Sequence, residues 1–151
     1  MLGDQLFQAP TCLPCHRSYT ALGTLVAEQL GTDALAFGYT RYQSAWPEQT
    51  PYAIERLTCV LASRGIRLEL PVYDIASKAE AIAELARYCL STESLEQKCL
   101  QQQFNVALDP AQLKEEIVIW EHALRETLAA SNQFQIETVS KIALKDLSDL
   151  E

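Results

Sequence analysis

Two short apolar runs, Ala34-Leu35-Ala36-Phe37 and Ile66 to Val72, are set between three stretches of helical periodicity. This alternation constrains the fold more than any other feature of the chain. A continuous apolar run bounded by turns suits a strand buried on both faces, as in a parallel sheet. In the second run Ile66, Leu68 and Leu70 share a face. Before the first run, Leu22, Leu25, Val26 and Leu30 recur at helical spacing, and Gly31 stands where a left-handed cap is expected. Thr50-Pro51 opens the second helix, with Thr as N-cap and Pro at the first helical position. Ile54, Leu57, Val60 and Leu61 give that helix its apolar face, and Gly65 ends it. Ser77 and Glu80 have the spacing of a capping box at the start of the third. Ile82, Leu85, Ala86 and Cys89 are expected to carry its buried face. Residues 18–90 therefore read helix, strand, helix, strand, helix, and the expected class is α/β with right-handed crossovers between parallel strands.

Two strands are too few for a stable doubly wound sheet. The expectation is a partial one, the second half of such a sheet, with the first half missing or supplied by another chain. Residues 1–104 form this half-domain, with a short strand possible at Gln5 to Gln8 and a helix face shared by Leu95 and Cys99. Residues 105–151 form an acidic helical extension. Asp109-Pro110 starts its long helix, and Leu113, Ile117, Trp120, Leu124 and Leu128 make the buried stripe. Phe134 to Leu144 reads as a terminal strand.

Composition excludes several classes. With 48% hydrophobic residues the chain is not intrinsically disordered. No run approaches the ~18 apolar residues of a membrane span. The net charge of −8 falls mostly after residue 90. Nucleic-acid binding needs a basic surface, so direct binding there is not expected, whereas the near-neutral first part can hold a small anionic ligand. No basic segment followed by an apolar one opens the sequence, and the cysteine count of five is odd. Both features point to a cytoplasmic setting rather than a secreted disulfide scaffold. Cys59 and Cys89 are expected in the core.

Cys12-Leu13-Pro14-Cys15 admits four readings. A redox dithiol would use the helix N-terminus to favour thiolate, but lacks a strand-helix-strand unit before it. Covalent haem attachment is completed by His16, with His122 as the remaining candidate for the sixth ligand. Metal binding places two thiolates on one turn, half of a tetrahedral zinc site, with Cys99 as third ligand and His16 or water as fourth. Three cysteines also suit an iron–sulfur cluster. The last reading is two cysteines in a turn with no ligand.

The loop from Gly38 to Glu48 leaves the C-terminal end of a predicted parallel strand, where open α/β sheets bind ligands. Tyr39, Tyr42 and Trp46 can stack on a planar ligand, Arg41 can meet an anion, and Glu48 can accept from the N–H groups of a base. The competing reading is a surface loop anchored by its aromatics. Ser77 and Lys78 open a helix after a strand, where backbone N–H groups and an ammonium can share a phosphate. The capping box is the competing reading there.

The order of these features resembles the later half of the PP-loop ATP pyrophosphatases, most of all 7-cyano-7-deazaguanine synthase and its relatives. The resemblance lies in the strand ending at Gly38, the stretch Trp46-Pro47-Glu48, the later Leu70-Pro71-Val72, and Ser77-Lys78-Ala79-Glu80. It covers roughly residues 10–100. It implies an adenine-nucleotide hydrolase-like α/β sandwich and activation of a carboxylate or carbonyl by adenylation with release of pyrophosphate. It also implies a deazapurine-like or carboxylate substrate and a zinc ion held through cysteines. Lys78 then has the catalytic role, Tyr39, Arg41, Tyr42, Trp46, Glu48 and Ser77 line the substrate, and Cys12, Cys15 and Cys99 hold the metal. The synthase groups its cysteines near its C-terminus, and a C-x-x-C before the helix looks more like the tRNA-thiolating relatives. The family's Ser-Gly-Gly-x-Asp-Ser nucleotide loop is absent, since no two of the five glycines are adjacent. ATP binding is therefore expected only with a nucleotide-binding half supplied elsewhere, by a separate subunit or a second copy. A cytosolic thiol redox protein using Cys12 and Cys15, and a non-catalytic partner module docking through the acidic helix, are the alternatives.

Overall fold

The computed structural model describes residues 11–92, 108–130 and 137. The chain is α/β: a two-stranded parallel sheet carries helices, and a long helix follows. In order the elements are α1 (Leu13–Leu30), β1 (Ala34–Ala36), α2 (Pro51–Ala62), β2 (Arg67–Glu69), α3 (Lys78–Arg87) and α4 (Pro110–Ala129). Short 3-10 turns at Arg41–Gln43 and Pro47–Gln49 shape the loop after β1. β1 and β2 pair in parallel with Leu35 opposite Leu68, and α2 is the crossover between them.

Each boundary has a local cause. The Thr50 hydroxyl accepts from the Ala53 N–H at 3.2 Å and starts α2, with Pro51 in the first turn. Gly31 closes α1 at φ 68°, a left-handed conformation that costs glycine little. Asp109 caps α4 by accepting from Ala111 and Gln112, while the Gln112 side chain accepts from the Asp109 N–H, a complete capping box. At α3 only half of the expected box forms. Ser77 accepts from the Glu80 N–H at 3.1 Å, but the Glu80 carboxylate accepts from Ala76, one residue before the cap.

The core lies between α1, α2 and α4 above the sheet. Ile117, Trp120, Leu124 and Leu128 of α4 join Leu57, Val60 and Leu61 of α2 and Leu13 of α1. Glu121 of α4 pairs ionically with Arg56 at 2.6 Å, which ties α4 to α2, and accepts from Arg125 of its own helix at 2.9 Å. A two-pronged pair joins Arg64, just past α2, to Glu28 of α1 at 2.6 and 2.8 Å.

Several expectations are corrected. The inward face of α1 is Leu13, Thr20, Ala21, Thr24 and Ala27, whereas Leu22 and Leu30 are 56% and 61% exposed. Small residues win this face because α1 approaches both α4 and β1 closely. A Cβ on Gly23 would lie 3.2 Å from Leu35 Cδ1. Neither strand is buried on both faces: Ala36 and Arg67 are exposed and the other strand residues half-buried. α3 buries no residue, so its expected apolar face, Ile82, Leu85, Ala86 and Cys89, is open. Cys59 is likewise exposed rather than in the core. The elements expected at Gln5 to Gln8, around Leu95 and Cys99, and at Phe134 to Leu144 lie outside the described residues. No helix among the described residues is long and apolar enough to cross a membrane.

Candidate functional site

The loop after β1 doubles back over the first turns of α1 and encloses a cleft of about 450 Å³ at the C-terminal end of that strand. Its chemistry comes from three segments: Cys12, His16 and Tyr19 of α1 and its cap, Phe37 and Tyr39 after β1, and Trp46 with Glu48 from the second 3-10 turn. His16 and Tyr19 are three residues apart, so both face the cleft from one side of the helix. The loop is fixed from within. The Thr40 N–H donates to Gln49 Oε1 at 3.2 Å and the Thr40 hydroxyl to Gln43 at 2.9 Å. The Thr50 hydroxyl donates to the Pro47 carbonyl at 2.9 Å, which locks the turn carrying Glu48 onto the cap of α2.

Glu48 is the unusual member. It is 1% exposed, and neither carboxylate oxygen has a hydrogen-bond partner among the described residues. His16 Nε2 stands 3.7 Å from Oε1, too long for a hydrogen bond. On the other side of the ring, Tyr39 Oη lies 2.8 Å from His16 Nδ1, and Tyr19 Oη also hydrogen-bonds that nitrogen. Nδ1 has one lone pair or one proton, so the two phenols compete for it. The His16 and Tyr19 rings are 4.6 Å apart and Phe37 and Tyr39 5.2 Å, giving the cleft an aromatic wall.

Burial dominates the protonation of this group. It pushes His16 down to about 3, so the imidazole is neutral at pH 7. It raises the Glu48 carboxyl as well. It also raises both phenols, reinforced by the Glu48 charge, so Tyr19 and Tyr39 keep their protons.

The residues singled out from the sequence separate into two places. Tyr39, Trp46, Glu48 and Cys12 line the cleft. Arg41 and Tyr42 do not. Their backbone N–H groups donate to Tyr73 and Ile75, and the Arg41 guanidinium pairs with Asp74 at 2.8 Å. Ser77 caps α3 and Lys78 is exposed in its first turn, outside the cleft lining. Cys12 is the N-cap of α1 and Cys15 is exposed on its first turn, while Cys99 lies outside the described residues. Among the described residues no three His, Cys, Asp or Glu side chains form a metal-binding group. The haem candidate His122 is on the surface of α4 beside Glu126 at 3.5 Å. Sequence reasoning missed Tyr19 altogether and saw His16 only as a ligand to haem or metal. The available signal was spacing: Cys12, His16 and Tyr19 fall on one face of the helix that the C-x-x-C turn begins.

Comparison with protein-family models, with curated proteins and with solved structures gives no match for this chain.

Proposed function

We propose that this chain is the substrate-holding half of an ATP-dependent, adenylating enzyme of the PP-loop pyrophosphatase type, similar to 7-cyano-7-deazaguanine synthase. A chain carrying the nucleotide loop completes it. The observation that carries the reading is the cleft itself, placed at the C-terminal end of a parallel strand and lined by the buried Glu48 of the Trp46-Pro47-Glu48 turn, whose carboxylate has no hydrogen-bond partner among the described residues. Open α/β sheets bind ligands at that end. Half-exposed strands and the open face of α3 are what the remaining layers of a doubly wound sheet would cover. In this reading Lys78, exposed at the start of α3, is free of the cleft and meets the phosphate side of the activated substrate. Cys12 and Cys15 belong to a zinc or iron–sulfur site completed by Cys99, and purified protein then contains about one equivalent of metal that Cys99→Ser removes.

The test is reconstitution. The tagged chain is mixed with a subunit bearing a Ser-Gly-Gly-x-Asp-Ser loop, and pyrophosphate release is measured with ATP, ammonium and 7-carboxy-7-deazaguanine. Release that needs both chains supports the reading. No release above the nucleotide subunit alone, from a mixture that forms a stable complex, overturns it.

One observation favours a second reading. Cys12 lines the cleft at the N-cap of α1, with Cys15 exposed one turn on, and neither is in a disulfide. A helix N-terminus favours thiolate, so a thiol redox protein would show a reversible Cys12–Cys15 disulfide.

A further inference from the structure

We propose that the cleft is a cation–π site for a quaternary ammonium group, held by the rings of Tyr19, Phe37, Tyr39 and Trp46. Such a group is the trimethylammonium of a choline-like small molecule or of a trimethylated lysine side chain. The inference goes beyond the enzyme reading. It stands on the cleft's own geometry and gives it a ligand of another class than the heterocycle considered there.

The rings of α1 and of the loop after β1 form one continuous wall. His16 and Tyr19 are 4.6 Å apart, Tyr19 and Phe37 5.9 Å, and Phe37 and Tyr39 5.2 Å, centroid to centroid. The planes of these neighbours are tilted by 56°, 39° and 41°, so the wall curves. A curved aromatic wall suits a round group better than a flat one. Trp46 lines the same cleft from the second 3-10 turn. Aromatic faces are electron-rich, and a cation within ~6 Å of a ring centroid is drawn to them. The charges around the cleft point the same way. No Lys or Arg is among its described lining residues, and Arg41 is held by Asp74 outside. His16 is neutral at pH 7. Glu48 is therefore a buried acid with no countercharge in the lining, and its charge reaches both Tyr19 and Tyr39. Both of its oxygens are closed to solvent, so a ligand gains from that charge through space and not by hydrogen bonding to it. A primary ammonium or a guanidinium would give up its hydration shell without that carboxylate to replace it. A quaternary ammonium has no N–H to satisfy, and ring faces with a distant negative charge are what it needs.

The experiment is calorimetric titration of the full chain with four probes: choline, 3,3-dimethylbutan-1-ol, ethanolamine and N-acetyl-trimethyllysine amide. The alcohol has the shape of choline without its charge, and ethanolamine keeps the charge on a group with N–H donors. Choline should bind roughly 5- to 30-fold more tightly than the alcohol, and more tightly than ethanolamine. Those comparisons use wild-type protein alone and survive any folding defect in a variant. Trp46→Leu should reduce the preference for choline over the alcohol and Trp46→Phe should keep most of it, with folding checked by circular dichroism. A loss of packing alone would weaken both probes together and leave their ratio unchanged. Tighter binding of choline assigns a free small molecule, and tighter binding of the lysine derivative assigns a methylated protein segment. No saturable binding of either trimethylammonium probe, equal binding of choline and the alcohol, tighter binding of ethanolamine, or an unchanged ratio in Trp46→Leu overturns the inference. Its failure is separable from that of the enzyme reading. Choline-selective binding without pyrophosphate release keeps this inference and removes the other, and the reverse result does the opposite.

Discussion

Helices α2 and α3 begin in the same way and end in different surroundings. Each has a hydroxyl N-cap, Thr50 or Ser77, that accepts from a backbone N–H three residues on. Each carries an apolar stripe at helical spacing. α2 buries Ala53, Leu57, Val60 and Leu61, whereas α3 buries nothing and leaves Ile82 and Leu85 42% and 37% exposed. The caps and the stripe specify a helix. Whether the stripe is buried depends on a surface opposite it, which α4 supplies to α2 and which no described element supplies to α3.

The widest separation should come from the stripes themselves. Leu57→Ala removes a fully buried side chain and should cost ~2–5 kcal/mol in urea unfolding. Leu85→Ala should change stability by no more than about 0.5 kcal/mol. A large, concentration-dependent effect at Leu85 would break the comparison by showing that another copy covers α3 in solution.

The next effect concerns acid. His16 is held at about 3 in the folded chain, against 6.5 for the free side chain. The unfolded chain therefore binds the extra proton first, and stability falls as pH drops from 6.5 towards 3. One proton corresponds to ~1.4 kcal/mol per pH unit. His16→Asn should flatten that part of the stability profile, and an unchanged slope would mean that the ring is solvated.

Glu48 acts with the opposite sign. Its carboxyl is raised above 4.5, so the folded chain holds the proton more tightly and loses stability as pH rises from there. Glu48→Gln should then raise stability at pH 7 by ~1–3 kcal/mol in the same unfolding assay.

The caps give the smallest effects. Thr50→Ala should cost ~1 kcal/mol globally, because α2 is part of the core. Ser77→Ala should speed amide exchange within α3 and leave global unfolding nearly unchanged.

Much of the framework was legible in the sequence. Thr50-Pro51, Asp109-Pro110 and Gly31 marked helix ends that the structure has, and Ile117, Trp120, Leu124 and Leu128 are the buried stripe of α4. These are local signals, fixed by φ preferences, caps and a period of 3.6 residues. The face of α1 was misjudged because periodicity finds large apolar side chains. The close approach of β1 and α4 instead selects Thr20, Ala21 and Thr24. Glu48 was legible as an acceptor and Tyr39 and Trp46 as ring surfaces, since they share one loop. The pairing of that loop with His16 and Tyr19 spans more than 20 residues and is set by how α1 docks. Arg41 was placed with the ligand because its competitor, Asp74, lies 33 residues away.

The central claim is that Glu48 is held buried, with neither carboxylate oxygen hydrogen-bonded to another residue among the described ones, at a cost to stability. Thermal unfolding of the wild-type chain and Glu48→Gln at pH 7 tests it most directly. The account predicts that the variant is the more stable protein. A variant that is less stable than the wild type would contradict it.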